Sequence, residues 1–182
     1  MKTCISLGSN CLAATYAVYR KMRVDRKRGY KTCPFDLAFT DLNNALFCIE
    51  NDFVNFFSDL FVFVNSDNHK VIKNPIYSFT FPHEVQTHKD DEATLKFFKK
   101  RYEQRIANFD RYCKQAEHIT FQWSPSKDRA FVPGGIFDMI EDTISKKYPK
   151  LSFHTEIIST NLKNRELKEI LGGEHKMQGY AT

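Results

Sequence analysis

Short apolar runs alternate along this chain with longer segments in which apolar residues recur at helical spacing. Runs of about four to eight apolar or β-branched residues bounded by turn residues are typical of buried strands. Five segments have this character, and they cover residues 3–7, 61–64, 76–81, 118–123 and 151–159. The polar residues 65–68 between the second and third segments indicate a turn, so these two are predicted to form a hairpin or a strand pair.

Helices are predicted in the remaining segments from apolar stripes and capping residues. Their predicted starts are near Cys11, at Thr40 or Asp41, at Asp90, at Gly134-Gly135 and within Ser159–Asn161. The stripe of the second helix extends to Phe53 and Phe56, and the longest helix extends to about Ala116. Strands alternating with helices predict an α/β fold with a largely parallel sheet sandwiched by helices. We expect a single domain over residues 1–173 and a loose tail over residues 174–182.

The composition agrees with a globular chain that buries a substantial core. Hydrophobic residues make up 42% of the 182 residues, which excludes a disordered polymer. Seventeen phenylalanines predict a core dominated by aromatic rings. The sequence contains no apolar run long enough to cross a bilayer, so we expect no contact with a membrane.

The number and spacing of the cysteines predict a reducing compartment and give no support to a structural metal site. The chain has five cysteines, no Cys-x-x-Cys pair and no secretory leader. This pattern favours reduced thiols and a cytoplasmic location. We therefore expect no structural zinc site, no other metal and no cofactor. The phosphate-binding lysine loop, the dinucleotide glycine motif, the zinc-protease helix and the serine-hydrolase elbow are all missing from the sequence.

Cys11 stands at the start of the first predicted helix, directly after the first strand. Gly8 permits a sharp turn after that strand, and Asn10 or Ser9 is a suitable helix cap. Free amides and the positive end of the helix dipole meet at this point and stabilise a thiolate. The sequence therefore predicts Cys11 as a nucleophile, although a cysteine at a helix start is also compatible with simple burial.

Two further side chains have the chemistry that a cysteine nucleophile needs. His83 follows a predicted strand directly and stands beside Glu84, so it is a candidate general base. Asp36 lies between two apolar residues and is a candidate to orient that histidine. The alternatives stay open, since His83 also fits an exposed loop and Asp36 also fits a turn that it caps itself.

Two polar segments are candidate ligand-binding sites. Ligands of α/β sheets bind beyond the carboxyl ends of the strands, where the first turn and the loop after Trp123 are both expected. The predicted ligand-binding residues in these two segments are Gly8, Ser9, Asn10, Lys127 and Arg129. Such a site would suit a phosphate- or sugar-bearing ligand.

A basic stretch between Arg20 and Lys31 contains seven cations. The net charge of the chain is +5, which permits nucleic-acid binding without arguing strongly for it. The stretch is therefore either a patch for phosphates or an acidic partner, or a solvated helix end with its loop.

Several spaced motifs together resemble one family. These motifs are Ser6-Leu7-Gly8-Ser9-Asn10-Cys11, Cys33-Pro34-Phe35-Asp36, Phe53-x-x-Phe56, Phe81-Pro82-His83-Glu84 and Arg101-Tyr102 with Arg105-Ile106-x-x-Phe109. The combination is similar to an uncharacterised family described as papain-like cysteine peptidases, found in bacteria and large DNA viruses. The resemblance implies Cys11 as nucleophile and His83 as its base, and it places Asp36 in a Pro-Phe-Asp motif that an aromatic residue usually follows. Leu37 stands at that position here.

Three functions follow as hypotheses. The first is a cysteine-dependent hydrolase or acyl transferase acting on a protein or small-molecule substrate, in the cytoplasm of a host if the chain is viral. The second is a non-catalytic binding or regulatory protein that uses the basic stretch. The third is an enzyme or binder of a phosphate- or sugar-bearing ligand at the turn of residues 8–11.

Overall fold

The computed structural model describes residues 2–9, 11–85, 89–125 and 134–158. These residues form strands and helices in the following order: β1 (Lys2–Ser6), α1 (Leu12–Tyr19), α2 (Leu42–Glu50), β2 (Phe61–Val64), β3 (Lys70–Asn74), β4 (Phe79–Phe81), α3 (Asp91–Gln115), β5 (His118–Trp123), α4 (Ile136–Lys147) and β6 (Phe153–Ile157). A short 3-10 helix, Arg26–Arg28, follows α1. The predicted α/β class is confirmed.

The parallel sheet has the order β1-β5-β6, with β5 in the centre. Ile5 pairs with Phe121, and Phe121 pairs with Thr155. Successive side chains of a strand point to opposite faces. On one face Phe121 meets Phe109 of α3, with 6.4 Å between ring centroids. On the other face Gln122 Nε2 lies 3.0 Å from the sulfur of Met22, just after α1. Helical segments therefore cover both faces of the sheet.

The other three described strands form a separate antiparallel sheet in the order β2-β3-β4. The sequence predicted the strands at 61–64 and 76–81 but not β3 between them. β3 is short, and its lysines interrupt the apolar run that usually identifies a strand. The strand predicted at 76–81 is correspondingly shorter, since residues 75–78 form a turn and only Phe79–Phe81 pair with β3. Half of the described strands are thus antiparallel.

The predicted phenylalanine-rich core is confirmed. Phe56 is central to it and has four partners at ring-centroid distances of 5.2–5.8 Å: Phe53, Phe57, Phe79 and Tyr102. Each such pair adds about 0.5–1.5 kcal/mol to the stabilisation from burial alone. The cluster joins the antiparallel sheet to α3 and through α3 to the parallel sheet.

The predicted α3 is confirmed, and its cap is Asp90, whose side chain accepts a hydrogen bond from the Ala93 amide. The second helix is shorter than predicted. It ends at Glu50 because Asp52, Phe53 and Asn55 adopt positive φ angles, which a helix cannot accommodate. Phe53 and Phe56 therefore belong to the turns after α2, although both still pack in the core.

The last predicted helix, its end at 172–173 and the tail at 174–182 lie outside the described residues. Within the described ranges, no helix combines the length and the apolar character that a bilayer-spanning segment needs.

Candidate active site

The turn after β1 is tightly built. The Leu7 amide extends the pairing with β5 by donating to the Gln122 carbonyl at 2.8 Å, and the Gly8 amide then donates to Ser6 Oγ at 3.1 Å. Gly8 has a φ of +89°, and a Cβ at this position would lie only 2.8 Å from Thr40 Cγ2. Only glycine fits both the backbone angle and the space. The turn is thus fixed against the segment 35–40.

Cys11 lies at the end of this turn, where α1 begins, at the carboxyl end of the parallel strand β1. The residue itself takes the N-cap position, so the predicted cap at Ser9 or Asn10 is corrected by one or two positions. Asn10 is outside the described residues. Cys11 is 7% exposed, and its carbonyl accepts the first helical hydrogen bond from the Thr15 amide at 3.0 Å. The thiol is therefore close to the positive end of the helix dipole.

Asp36 is buried in a network of its own. Its Oδ1 accepts a hydrogen bond from Arg23 at 2.8 Å, and its Oδ2 accepts hydrogen bonds from the Tyr30 hydroxyl at 3.1 Å and the Cys33 amide at 2.8 Å. The bond from Cys33 is the turn-capping contact expected of an aspartate at this position. Within the described residues Asp36 makes no hydrogen bond to His83. Its contacts fix the segment after Cys33, against which Gly8 packs.

Arg23 comes from the basic stretch but does not share its exposure. Its side chain is 4% exposed, whereas Arg20, Lys21 and Arg26 are on the surface. Arg23 also donates to the Cys4 carbonyl of β1 and the Ala14 carbonyl of α1. Burial alone would lower the pKa of Arg23, but Asp36 and Tyr30 raise it above its ordinary value. This cation therefore ties the segment of Asp36 to the two elements that position Cys11.

A second buried ion pair lies between α3 and the end of β4. Glu84 forms ion pairs with Arg105 at 2.7 Å and with Arg101 at 3.0 Å, and the Glu84 side chain is fully buried. Arg105 also lies over the ring of Tyr102, with its guanidinium carbon 4.5 Å from the ring centroid. Among the described residues, the buried hydroxyl of Tyr102 has no hydrogen-bond partner.

Electrostatic interactions link this pair to Cys11. Burial raises the pKa of Tyr102 above its ordinary value; Arg105 opposes that rise, and Glu84 and Cys11 add to it. Asp36 in turn helps to raise the pKa of Arg105. We call the side chains of Arg23, Asp36, Glu84, Tyr102 and Arg105 the buried charge cluster, and Cys11 interacts electrostatically with its member Tyr102.

His83 immediately precedes Glu84 and is half-buried. Burial lowers the pKa of His83, and the neighbouring Glu84 partly offsets this. A neutral imidazole near pH 7 is the form that accepts a proton. The segment 35–40 links the two regions, since Phe39 pairs with Thr80 of β4 through hydrogen bonds of 2.8 and 2.9 Å. No hydrogen bond joins His83 to Cys11 within the described residues, so their pairing stays a prediction.

Sequence reasoning did not identify Arg23, Glu84, Tyr102 and Arg105 as members of one cluster. A signal was present for Arg105, because it stands at helical spacing from Tyr102 and Phe109 on the buried stripe of α3. A cation within an apolar stripe indicates a buried partner. No comparable signal marks Arg23, which stands among exposed cations.

Of the predicted ligand-binding residues, Gly8 and Ser9 are in the turn before Cys11, and Ser9 has a φ of 77°. Lys127 and Arg129 lie outside the described residues. In the part of the chain that the structure describes, no group of three histidine, cysteine or acidic side chains is arranged to hold a metal ion. No family model, curated protein or solved structure matches this chain.

Proposed function

We propose that this protein is a cysteine-dependent hydrolase or acyl transferase with Cys11 as its nucleophile. The observation that supports it best is the position of Cys11 at the start of α1, beyond the carboxyl end of β1, where it interacts electrostatically with Tyr102 of the buried charge cluster. Parallel sheets bind their ligands at this edge. The resemblance to papain-like cysteine peptidases supports peptide-bond cleavage as the narrower form of the proposal.

In the proposed reaction, Cys11 Sγ attacks a carbonyl carbon and its proton passes to His83. The amides of the first turn of α1 precede the helical hydrogen bonds and are suited to bind the oxyanion. His83 then returns the proton to the leaving group as the bond to the carbonyl carbon breaks. Water hydrolyses the resulting thioester, or an acceptor amine or alcohol takes the acyl group. Tyr102 supplies a further donor for the thiolate or the oxyanion.

In this proposal Asp36 is a positioning residue and does not touch the substrate. Its bonds to Arg23 and the Cys33 amide fix the segment that contacts Gly8, and the Gly8 turn sets the position of Cys11. All five cysteines are buried and none forms a disulfide, which supports a reducing, cytoplasm-like compartment.

The test is the alkylation rate of each cysteine by iodoacetamide as a function of pH, measured by mass spectrometry. The other four thiols are internal controls, because burial raises the pKa of Cys4 to about 12 and also raises the pKa of Cys33, Cys48 and Cys113. We expect Cys11 alone to react rapidly near pH 7.

His83→Ala is expected to slow the alkylation of Cys11 and to shift its pH dependence upward. The matched control is His69→Ala, since His69 is exposed in the turn between β2 and β3. If Cys11 reacts as an ordinary thiol near pH 8.5, or if both variants behave alike, the nucleophile–base pair is refuted.

A second candidate function rests on the exposure of the basic stretch. Arg20, Lys21, Arg26, Lys27, Arg28 and Lys31 are all exposed. We propose this surface as a binding site for a nucleic acid. About six phosphate contacts would weaken binding roughly a thousandfold between about 50 and 200 mM salt, and binding that is independent of salt would exclude it.

A further inference from the structure

A chain of hydrogen-bonded side chains begins at the edge of the parallel sheet opposite to Cys11 and runs along β6. Ser152 Oγ lies 2.8 Å from His118 Nδ1, and His118 Nε2 lies 2.7 Å from His154 Nδ1. His154 Nε2 in turn lies 3.3 Å from Glu156 Oε1. The chain therefore connects a hydroxyl to a carboxylate through two imidazole rings.

When both imidazole rings are neutral, the carboxylate determines the direction of every hydrogen bond in this chain. A carboxylate can only accept, so His154 donates through Nε2 and presents a lone pair at Nδ1. His118 must then donate through Nε2, which leaves a lone pair on its Nδ1. Ser152 consequently donates its hydroxyl proton to His118. A serine hydroxyl donating to an unprotonated imidazole, which is itself oriented through a carboxylate, is the arrangement of a serine nucleophile.

The backbone holds these residues firmly. The Ser152 carbonyl accepts from the Ile119 amide at 3.0 Å, and the Leu151 amide donates to the Tyr148 carbonyl at 3.0 Å. The planes of the two imidazole rings differ by 21° and their centroids are 5.0 Å apart, as an in-plane hydrogen bond between ring nitrogens requires. Glu156 is fixed by a second bond, 2.9 Å from its Oε2 to Gln122 Nε2.

Ser152 and His154 line an open groove between α4 and β6 with a volume of about 460 Å³. Phe137 and Leu151 provide apolar walls, and Phe137 is 50% exposed. Glu141 also lines the groove and disfavours an anionic substrate. The groove therefore suits an uncharged, apolar acyl group next to the Ser152 hydroxyl.

We propose that Ser152, His118, His154 and Glu156 form a second hydrolytic site, which cleaves carboxylic esters with an apolar acyl group. Ser152 Oγ bonds to the carbonyl carbon, and its proton passes to His118 Nδ1. His118 returns the proton to the leaving alcohol as the ester C–O bond breaks. Water then cleaves the acyl-serine by the same route and releases the acid. His154 and Glu156 are positioning residues that act through His118.

The test is covalent labelling by a fluorophosphonate, in which Ser152 Oγ replaces fluoride on phosphorus, together with hydrolysis of p-nitrophenyl butyrate. Mass spectrometry of the labelled chain is expected to find the label on Ser152. The matched control is Ser145, which lines the same groove and has no histidine partner among the described residues. In the Cys11→Ala background, which removes hydrolysis by the proposed cysteine site, Ser152→Ala should abolish both labelling and hydrolysis, and Ser145→Ala should change neither.

His118→Ala is expected to slow labelling by about a hundredfold or more, the usual contribution of a general base. Added imidazole should restore part of the rate, which it would not do if His118 were only structural. Glu156→Gln should lower kcat and leave KM unchanged, since Glu156 does not line the groove. Cys11→Ala should leave labelling intact, which separates this site from the proposed function. Equal labelling of Ser152 and Ser145, or no effect of His118→Ala, would overturn the proposal.

Discussion

The two edges of the parallel sheet each carry one of the proposed nucleophiles, Cys11 and Ser152, in different environments. At the carboxyl edge, Cys11 is 7% exposed and interacts electrostatically with Tyr102 of the buried charge cluster. In the hydrogen-bonded chain that begins with Ser152 at the amino edge, the side chains of His154 and Glu156 are 49% and 40% exposed. Charges that are removed from water depend on their partners for several kcal/mol, whereas exposed ones are solvated with or without them. Substitutions around Cys11 should therefore change both activity and the free energy of unfolding. Substitutions in the chain from Ser152 to Glu156 should change activity alone.

The largest expected effect compares one carboxylate from each of the two sites, the buried Asp36 and the exposed Glu156. Asp36→Asn leaves the buried Arg23 without its counter-charge and should lower the free energy of unfolding by about 3–5 kcal/mol. Glu156→Gln makes the same change at an exposed site and should stay within about 0.5 kcal/mol. Urea denaturation followed by circular dichroism measures both. Equal losses in the two variants would remove the distinction between the two sites.

The next effect concerns the turn that positions Cys11. Gly29 and Gly8 both have positive φ angles, but a Cβ at Gly29 meets nothing within 4 Å, whereas one at Gly8 meets Thr40. Gly29→Ala should thus cost about 1–2 kcal/mol for the backbone conformation alone. Gly8→Ala should cost about 1–3 kcal/mol more because of the collision. Thermal unfolding of both variants measures the difference, and similar losses would show that Thr40 yields without cost.

A smaller effect of opposite sign is expected at Tyr102. Its buried hydroxyl has no hydrogen-bond partner among the described residues, so Tyr102→Phe should raise the free energy of unfolding by about 1 kcal/mol. The same change should slow the alkylation of Cys11, since in the proposed reaction the Tyr102 hydroxyl is a donor for the thiolate. Chemical denaturation and the alkylation assay are the two measurements. A loss of stability would instead give the hydroxyl a structural role.

The smallest effect is the pH dependence that His83 contributes. Burial lowers the pKa of His83 from its ordinary value of 6.5, so the folded protein favours the neutral ring. The stabilising contribution is complete above that value and is lost as the pH falls through the lowered pKa. His83→Gln should accordingly flatten the decline in stability below about pH 6.5. Unfolding curves between pH 7 and pH 5 test this, and parallel declines for both proteins would contradict it.

Hydrophobic periodicity predicted most of the fold, because the elements that it detects are formed by neighbouring residues. The strand at 118–123 and the helix after Asp90 were predicted with nearly the observed bounds. β3 was missed because its strand character depends on pairing with β2 and β4. Phe53 and Phe56 fitted a helical stripe, yet both belong to turns whose backbone angles the stripe does not encode.

For the candidate site, the sequence predicted a turn with a cysteine at the start of the helix, because Gly8 and Cys11 are local features. It did not predict that Arg23 would meet Asp36, or that Arg105 would meet Glu84. A cation is normally solvated, and only the fold shows which ones are removed from water. The same limit applied to Ser152 and His118, which lie far apart in the chain and meet only across the sheet.

The separation along the chain between paired strands also has a consequence for the order of folding. The antiparallel sheet is formed within residues 61–81, whereas β1 pairs Lys2 with His118 across most of the described chain. Contacts between distant residues form late, because a long loop must close before they gain any energy. During synthesis β1 therefore leaves the ribosome long before its partner strand exists. We expect the Cys11 thiol to acquire its reactivity only after β5 has been made, so a nascent chain that ends before residue 118 should be inert.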